Sequence, residues 1–199
     1  MNALRTDLQI ISEWIMPNTR ILDLGCGDGT LLAHLSETRK ISGYGVEYAI
    51  DNITTCISKG VNVIHTDIDK GLADFDDNSF DYVVMTQAIQ ALHYPDKTLD
   101  EMLRVGTQGI VTFPNFGHWR CRLQLALGRM PKTRTLDKEW FNTENIHLCT
   151  VYDFEDLCRA KGIRILERTV VDHEHRSSLG MRLLPNLLGE IAIYRIERQ

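Results

Sequence analysis

The chain of 199 residues lacks several things, and each absence removes a class of function. No run reaches the roughly 18 apolar residues needed to span a bilayer, so no membrane segment is expected. Met1 to Trp14 carries Arg5, Asp7 and Glu13, and so does not read as a secretory leader. Basic residues are in deficit, with a formal net charge of -5, which argues against a broad nucleic-acid footprint. The five cysteines are odd in number and form no C-x-x-C pair, so neither a disulfide framework nor a zinc ribbon is expected. Reduced thiols in the cytoplasm are the simple reading. There is no G-x-x-x-x-G-K-[ST] phosphate loop and no G-x-S-x-G elbow. Repeats and low-complexity linkers are also missing, and one domain over 1–199 is expected.

What is present alternates. Leu4, Leu8, Ile11 and Ile15 recur at helical spacing and predict an opening helix. Apolar-rich runs at 20–24, 43–47, 61–65, 80–85 and 109–113 predict strands. Helices are predicted between them at 30–36, 50–58 and 98–105, the last stopped by Gly106. A helix at 154–161 and strands at 163–171 and 191–196 complete the chain. Short strands alternating with helices predict an α/β, doubly wound, mostly parallel sheet. The stretch 114–150 is too long for an ordinary connection and too apolar for a tail, so it is expected to fold over the C-terminal sheet edge. Met181 to Gly189 is a second apolar run, expected to pack on the last strand. His173-Glu174-His175 offers two metal ligands without a third, and a polar strand end is the better reading.

The chemistry concentrates in Asp23-Leu24-Gly25-Cys26-Gly27-Asp28-Gly29. Strand, glycine turn and helix let a ligand approach bare backbone. The helix start that follows should present free N–H groups and partial positive charge. The glycine spacing departs from the dinucleotide pattern G-x-G-x-x-G, because Thr30 stands where the third glycine belongs. Asp23 and Asp28 would repel a pyrophosphate. They suit a ligand with an ammonium and a sulfonium, whose carboxylate would meet the backbone N–H groups. Glu47 ends the second strand, where an acid grips ribose hydroxyls, with Tyr48 beside it. Asp67 follows the third strand, suited to an adenine amino group, with Ile68 placed to cover the ring. Together these predict a site for S-adenosylmethionine or S-adenosylhomocysteine. Gln87 at the end of the fourth strand completes it. Gln87, His93, Tyr94, His118 and His147 lie near strand ends four and five as weak candidates for a base, although a lone histidine is more often structural.

These motifs resemble class I S-adenosylmethionine-dependent methyltransferases over the first half of the chain. Glu101 to Gly106, Phe113 to Arg120, Leu127 to Pro131 and Trp140 to Thr150 extend the resemblance over nearly all of it, to the methionine biosynthesis protein family MetW. That resemblance implies a seven-stranded sheet with the last strand antiparallel. It also implies a role in methionine synthesis beside the homoserine O-acyltransferase MetX, which moves a succinyl or acetyl group to homoserine. Trp119, Arg120, Arg122, Leu123 and Leu127, arginines among large apolar residues, are the candidate contact surface. Three readings stay open: an active methyltransferase, a cofactor-binding partner subunit, and a nicotinamide-dependent oxidoreductase disfavoured by the glycine spacing.

Overall fold

The computed structural model describes residues 5–172 and 178–199, so the His173-Glu174-His175 motif lies outside the described residues. Along the chain run α1 (Thr6–Trp14), β1 (Arg20–Leu24), α2 (Thr30–Arg39), β2 (Ser42–Glu47), α3 (Ile50–Ser58) and β3 (Val63–His65). Then come β4 (Phe80–Thr86), α4 (Pro95–Val105), β5 (Gly106–Pro114) and α5 (Trp119–Ala126). The remainder is α6 (Val151–Ala160), β6 (Ile163–Val171), α7 (Leu179–Leu183), α8 (Pro185–Leu188) and β7 (Ile191–Arg198). The strands form one sheet in the order β3-β2-β1-β4-β5-β7-β6. The pairs from β3 through β5 are parallel, and β7 runs antiparallel between β5 and β6.

The apolar runs are near-continuous because the sheet is covered on both faces. Side chains alternate across it. Ile21, Tyr82, Val84 and Ile110 face one core with Leu8 and Ile11 of α1, Ile15 just after it, and Leu31, Leu32 and Leu35 of α2. Leu22, Val83, Met85 and Val111 face the other with Leu99 and Met102 of α4 and Phe154 of α6. Phe113, Phe154 and Tyr194 stack in that second core, with centroids 4.7 to 5.9 Å apart.

Several boundaries differ from the sequence expectation, each for a local reason. Helix α4 starts at Pro95, whose missing N–H suits the first turn. Thr150 and Asp153 form a reciprocal capping box that starts α6 at Val151. Gly106 does end α4, but β5 begins on it rather than at Gly109. A Cβ at Gly106 would lie 2.5 Å from Val83 Cγ2, so only glycine lets β5 close on β4 there. Val61 belongs to the turn after α3, its N–H donating to Cys56 O at 3.0 Å. The run Met181 to Gly189 falls in α7 and α8; α7 and Gly189 lie against β6, and Met181 packs on the core that Val170 shares with Ala192 and Tyr194 of the last strand. Leu183 and Leu184 remain exposed.

The acidic loop before β4 is fastened from α4. Arg104 donates to both oxygens of Glu101, to Asp77, and to the carbonyls of Leu72 and Phe75, at 2.7 to 3.0 Å. Among the described residues, no helix is long and apolar enough to cross a membrane.

Candidate functional site

Strand order reverses at β1, which lies between β2 and β4, and open α/β sheets bind ligands at such a point, outside the carboxyl ends of the strands. There Gly25, Gly27 and Gly29 all take positive φ, at 69°, 55° and 73°. Gly29 is further constrained, since a Cβ would lie 2.9 Å from Cys56 Sγ. Gly27 is the contrasting case: its Cβ would meet nothing within 4 Å and would project into open space. Cys26 turns its thiol away from the ligand side, into the space that Gly45 leaves bare. It lies 3.8 Å from the thiol of Cys56.

Asp23 sits at the base of this loop with 1% of its surface exposed, and its Oδ1 has no hydrogen-bond partner. Burial, helped by the nearby Glu47, pushes its carboxyl up to about 7. A buried acceptor left without a donor is unfavourable in the empty protein and welcomes a ligand ammonium. Asp28 differs from expectation. It accepts from Lys59 Nζ at 2.6 Å and from Thr30 Oγ1 at 2.8 Å. Its partial burial would raise its carboxyl, but the bonds from Lys59 and Thr30 outweigh this and hold it below the ordinary range. Lys59 thus already supplies the cation that the sequence reading assigned to the ligand.

The backbone amides are also committed. Gly25 and Cys26 donate to Val46 O, Gly29 to Cys26 O and Thr30 to Asp28 Oδ1. Gly27 donates to Glu47 Oε2 at 2.8 Å. Five of the six N–H groups from Gly25 to Thr30 therefore donate within the chain, which corrects the expectation of a free amide cradle.

A cleft of about 500 Å³ opens above the loop, lined by Asp23, Gly25, Cys26, Gly27, Asp28, Thr30, Leu31, Thr86 and Gln87, with Arg5 and Leu8 from the start of α1. Gln87 holds φ at 52°, uncommon for a residue with a side chain. Its N–H donates to Thr112 O and Oγ1, both at 3.0 Å, and its carbonyl accepts from Gln90 Nε2. Those bonds hold the strained backbone that brings Gln87 to the cleft.

The neighbouring strand tips carry the remaining expected residues, which do not line this cleft. Glu47 accepts from the N–H groups of Gly27, Tyr48 and Ala49. That leaves about one of its four acceptor positions for a hydroxyl. Tyr48 is exposed and tilts against His65 at 5.8 Å. Asp67 caps a 3-10 turn over Ile68–Lys70, its Oδ1 accepting from Asp69 N. Ile68 Cδ1 lies 3.7 Å from where a Cβ of Gly25 would be.

Of the candidate bases, Gln87 lines the cleft, but a carboxamide is not basic; His93, Tyr94, His118 and His147 do not line it. His93 is exposed, and its ring pairs with Asp69 at 2.8 Å. Asp69's partial burial would raise its carboxyl, but the His93 bonds hold it low. His118 is buried beneath α5, and His147 is exposed with its N–H donating to Gln90 O. Tyr94 is exposed with Lys97 over its ring. Among the described residues no group of three or more His, Cys, Asp or Glu is placed to hold a metal ion.

Beyond β5 the chain leaves the sheet through Asn115, a buried staple. Its Nδ2 donates to the carbonyls of Asn186 and Gly189, and its Oδ1 accepts from Gly117 and Val151. Past it, Trp119, Leu123, Leu125, Leu127, Met130, Trp140 and Phe141 are exposed. Arg120 lies over the Trp119 ring, and Arg122, also exposed, donates from Nε to Gly117 O at 2.6 Å.

A family model described as methionine biosynthesis protein MetW matches residues 5–196. The chain belongs to the MetW family. A curated relative, the bifunctional methionine biosynthesis protein MetXA/MetW of Rhodopirellula baltica, is 34% identical over 207 aligned residues, taking in 99% of this chain and 33% of the relative. The MetW chain thus spans about a third of that relative's length. Among solved structures, an S-adenosylmethionine-dependent methyltransferase from Mesorhizobium loti superposes with a TM-score of 0.71 at 15% identity, over 97% of this chain and 98% of the other. The [4+2]-cyclase SpnF superposes with a TM-score of 0.68 at 18% identity, over 96% and 80%. At those identities the likeness is one of fold, and the pair shows that this fold carries more than one chemistry. The doubly wound α/β architecture is that of the methyltransferases.

The sequence reading missed Arg5, Leu8, Thr30, Leu31 and Thr86. Arg5 and Leu8 enter through the packing of α1 on the sheet, which no local pattern announces. The only signal was Arg5 two residues ahead of Asp7, an ion pair at the start of an apolar helix.

Proposed function

We propose that this MetW chain binds S-adenosylmethionine or S-adenosylhomocysteine in the cleft above Gly25 to Gly29. It serves methionine biosynthesis as a partner subunit of a homoserine O-acyltransferase, MetX, in the cytoplasm. The observation that carries the cofactor reading is Asp23: a carboxylate buried without a donor, under a glycine turn, at the switch point of the sheet. An amino acid's ammonium answers it. Glu47 retains an acceptor position for a ribose hydroxyl, Asp67 Oδ2 is available to an adenine amino group, and Ile68 packs beside the turn.

Bound S-adenosylmethionine supplies an activated methyl group, and its transfer needs chiefly alignment. Among the described residues the cleft lining offers no histidine, so removal of a proton from an acceptor has no histidine base at hand there. That supports a binding role over free-standing catalysis on a protonated nucleophile. The acyltransferase partnership is supported by the relative in which MetXA and MetW share one chain. Fusion of two activities keeps them at high effective concentration. We assign the segment 114–150 of a single methyltransferase-like domain to that contact, through Trp119, Arg120, Arg122, Leu123 and Leu127. Free energy of cofactor binding would then couple to partner affinity equally in both directions.

Calorimetry of the full chain with S-adenosylhomocysteine tests the first statement: no heat and no thermal shift would end it. An acyltransferase assay, with and without this chain and with and without the cofactor, tests the second. An acyltransferase whose activity and solubility ignore the chain would end that one. Methylated product from labelled cofactor would favour the methyltransferase reading.

A further inference from the structure

The cleft has a cationic member that the reading above does not use. Among the described residues Arg5 is the one basic residue lining it, at the start of α1. The acids there are Asp23, which is buried, and Asp28, which Lys59 already neutralises. A methionine-like zwitterion carries an ammonium and a carboxylate one carbon apart. Asp23 answers the first. The turn's amides were expected to answer the second, but Gly25, Cys26, Gly27, Gly29 and Thr30 all donate within the protein. Only the Asp28 amide of the six is left, so a carboxylate in this cleft must draw its charged donor from elsewhere.

Arg5 is held in place to be that donor. Its Nε and Nη2 donate to Asp7 Oδ1 and Oδ2 at 3.2 and 2.9 Å, a forked pair. Asp7 is fully buried, while the arginine side chain keeps 54% of its surface exposed. The buried acid therefore fixes the guanidinium at one edge and leaves Nη1 for a second partner. Burying a carboxylate in a short amphipathic helix is costly unless it is well paired. A solvent-facing arginine so anchored, at the rim of a ligand cleft, is a preorganised anion contact.

We propose that Arg5 binds the α-carboxylate of the S-adenosyl ligand and that Asp7 positions it for that contact. This rests on the cofactor reading above. Arg5 and Asp23 would then recognise the two ends of one zwitterion, which selects amino-acid-bearing nucleosides over those that lack the amino acid.

The test is calorimetry of the full chain with two probes: S-adenosylhomocysteine, and its decarboxylated counterpart, which keeps the amine. The wild type should prefer the first by about tenfold or more, the scale of a charge-assisted contact. Arg5→Gln should lose that preference, weakening S-adenosylhomocysteine about tenfold while leaving the decarboxylated probe within about twofold. Arg5→Lys should recover part of it. Unchanged S-adenosylhomocysteine affinity in Arg5→Gln, or an equal loss for both probes, would overturn the assignment, the second outcome marking a packing role for α1. A wild type that binds neither probe would instead overturn the cofactor reading, and this proposal with it.

Discussion

The glycine turn after β1 and the segment from Trp119 to Leu148 lie beyond the carboxyl ends of β1 and β5, and they are built on opposite lines. In the turn nearly every backbone amide is committed, three residues sit at positive φ, and one buried oxygen of Asp23 stands out because it lacks a partner. In the segment the large apolar side chains are the uncommitted ones: they face outward, over a shallow hollow of about 320 Å³ lined by Met130, Pro131, Leu136 and Trp140. A site for a small ligand needs fixed groups at fixed places, and a docking surface needs area. The first is written in residue spacing and the second only in shape.

Four experiments break or sharpen that contrast. The largest effect is expected at the joint between the segment and the sheet. Asn115→Ala strips partners from two carbonyls and two amides and should destabilise the protein by about 3 kcal/mol, read by chemical denaturation. If stability is unchanged, the staple is ornamental and the segment is anchored elsewhere.

Next is Gly27→Arg. Its Cβ meets nothing within 4 Å, so the fold should lose only about 1–2 kcal/mol to the positive φ, yet the side chain enters the ligand's space. Binding of S-adenosylhomocysteine should fall at least about a hundredfold, on the order of 2.7 kcal/mol. Normal affinity in that variant would move the site.

Third is the pH profile of Asp23. Its folded carboxyl is raised to about 7, so the folded protein holds this proton where the unfolded chain, titrating near 3.8, has lost it. Its contribution to the stability of the ligand-free protein is therefore greatest below about pH 4 and declines as pH rises from there to 7. Ligand affinity moves the other way, because the ammonium needs the ionised form, and should rise about tenfold from pH 6 to pH 8. Asp23→Asn should flatten both trends. A stability profile that keeps its slope in that variant points to another group.

The smallest effect on stability, and the most specific on function, is expected on the outward face. Leu127→Ser and Trp140→Ser should change stability by no more than about 0.5 kcal/mol. Leu127→Ser, within the proposed contact, should abolish support of the acyltransferase without altering cofactor affinity. Full support by a folded Leu127→Ser protein would remove that contact from the interface.

The centre of the sheet was legible because it is buried on both sides, so Ile21 to Leu24 and Phe80 to Met85 read as strands without help. The order of strands came with the family resemblance, not from the residues. The turn was legible because only glycine tolerates its backbone. What stayed hidden depends on tertiary reach. Glu47 was read as a ribose contact, and nothing local told that it would also close the Gly27 amide. Lys59 lies 31 residues beyond the acid it neutralises. Arg5 reaches the cleft only because Leu8, Ile11 and Ile15 seat α1 on the sheet. The run Met181 to Gly189 was read as core for its composition, yet two short helices leave Leu183 and Leu184 in solvent.

The thiols of Cys26 and Cys56 both point at the carbonyl of Gly27, from beneath the turn. Burial holds both above the ordinary thiol range, so neither is reactive while the turn is seated. An alkylating reagent must wait for the turn to lift, which makes the rate of labelling a built-in clock for that motion. The clock needs no engineered probe, and a molecule settling on the turn from the other side should slow it.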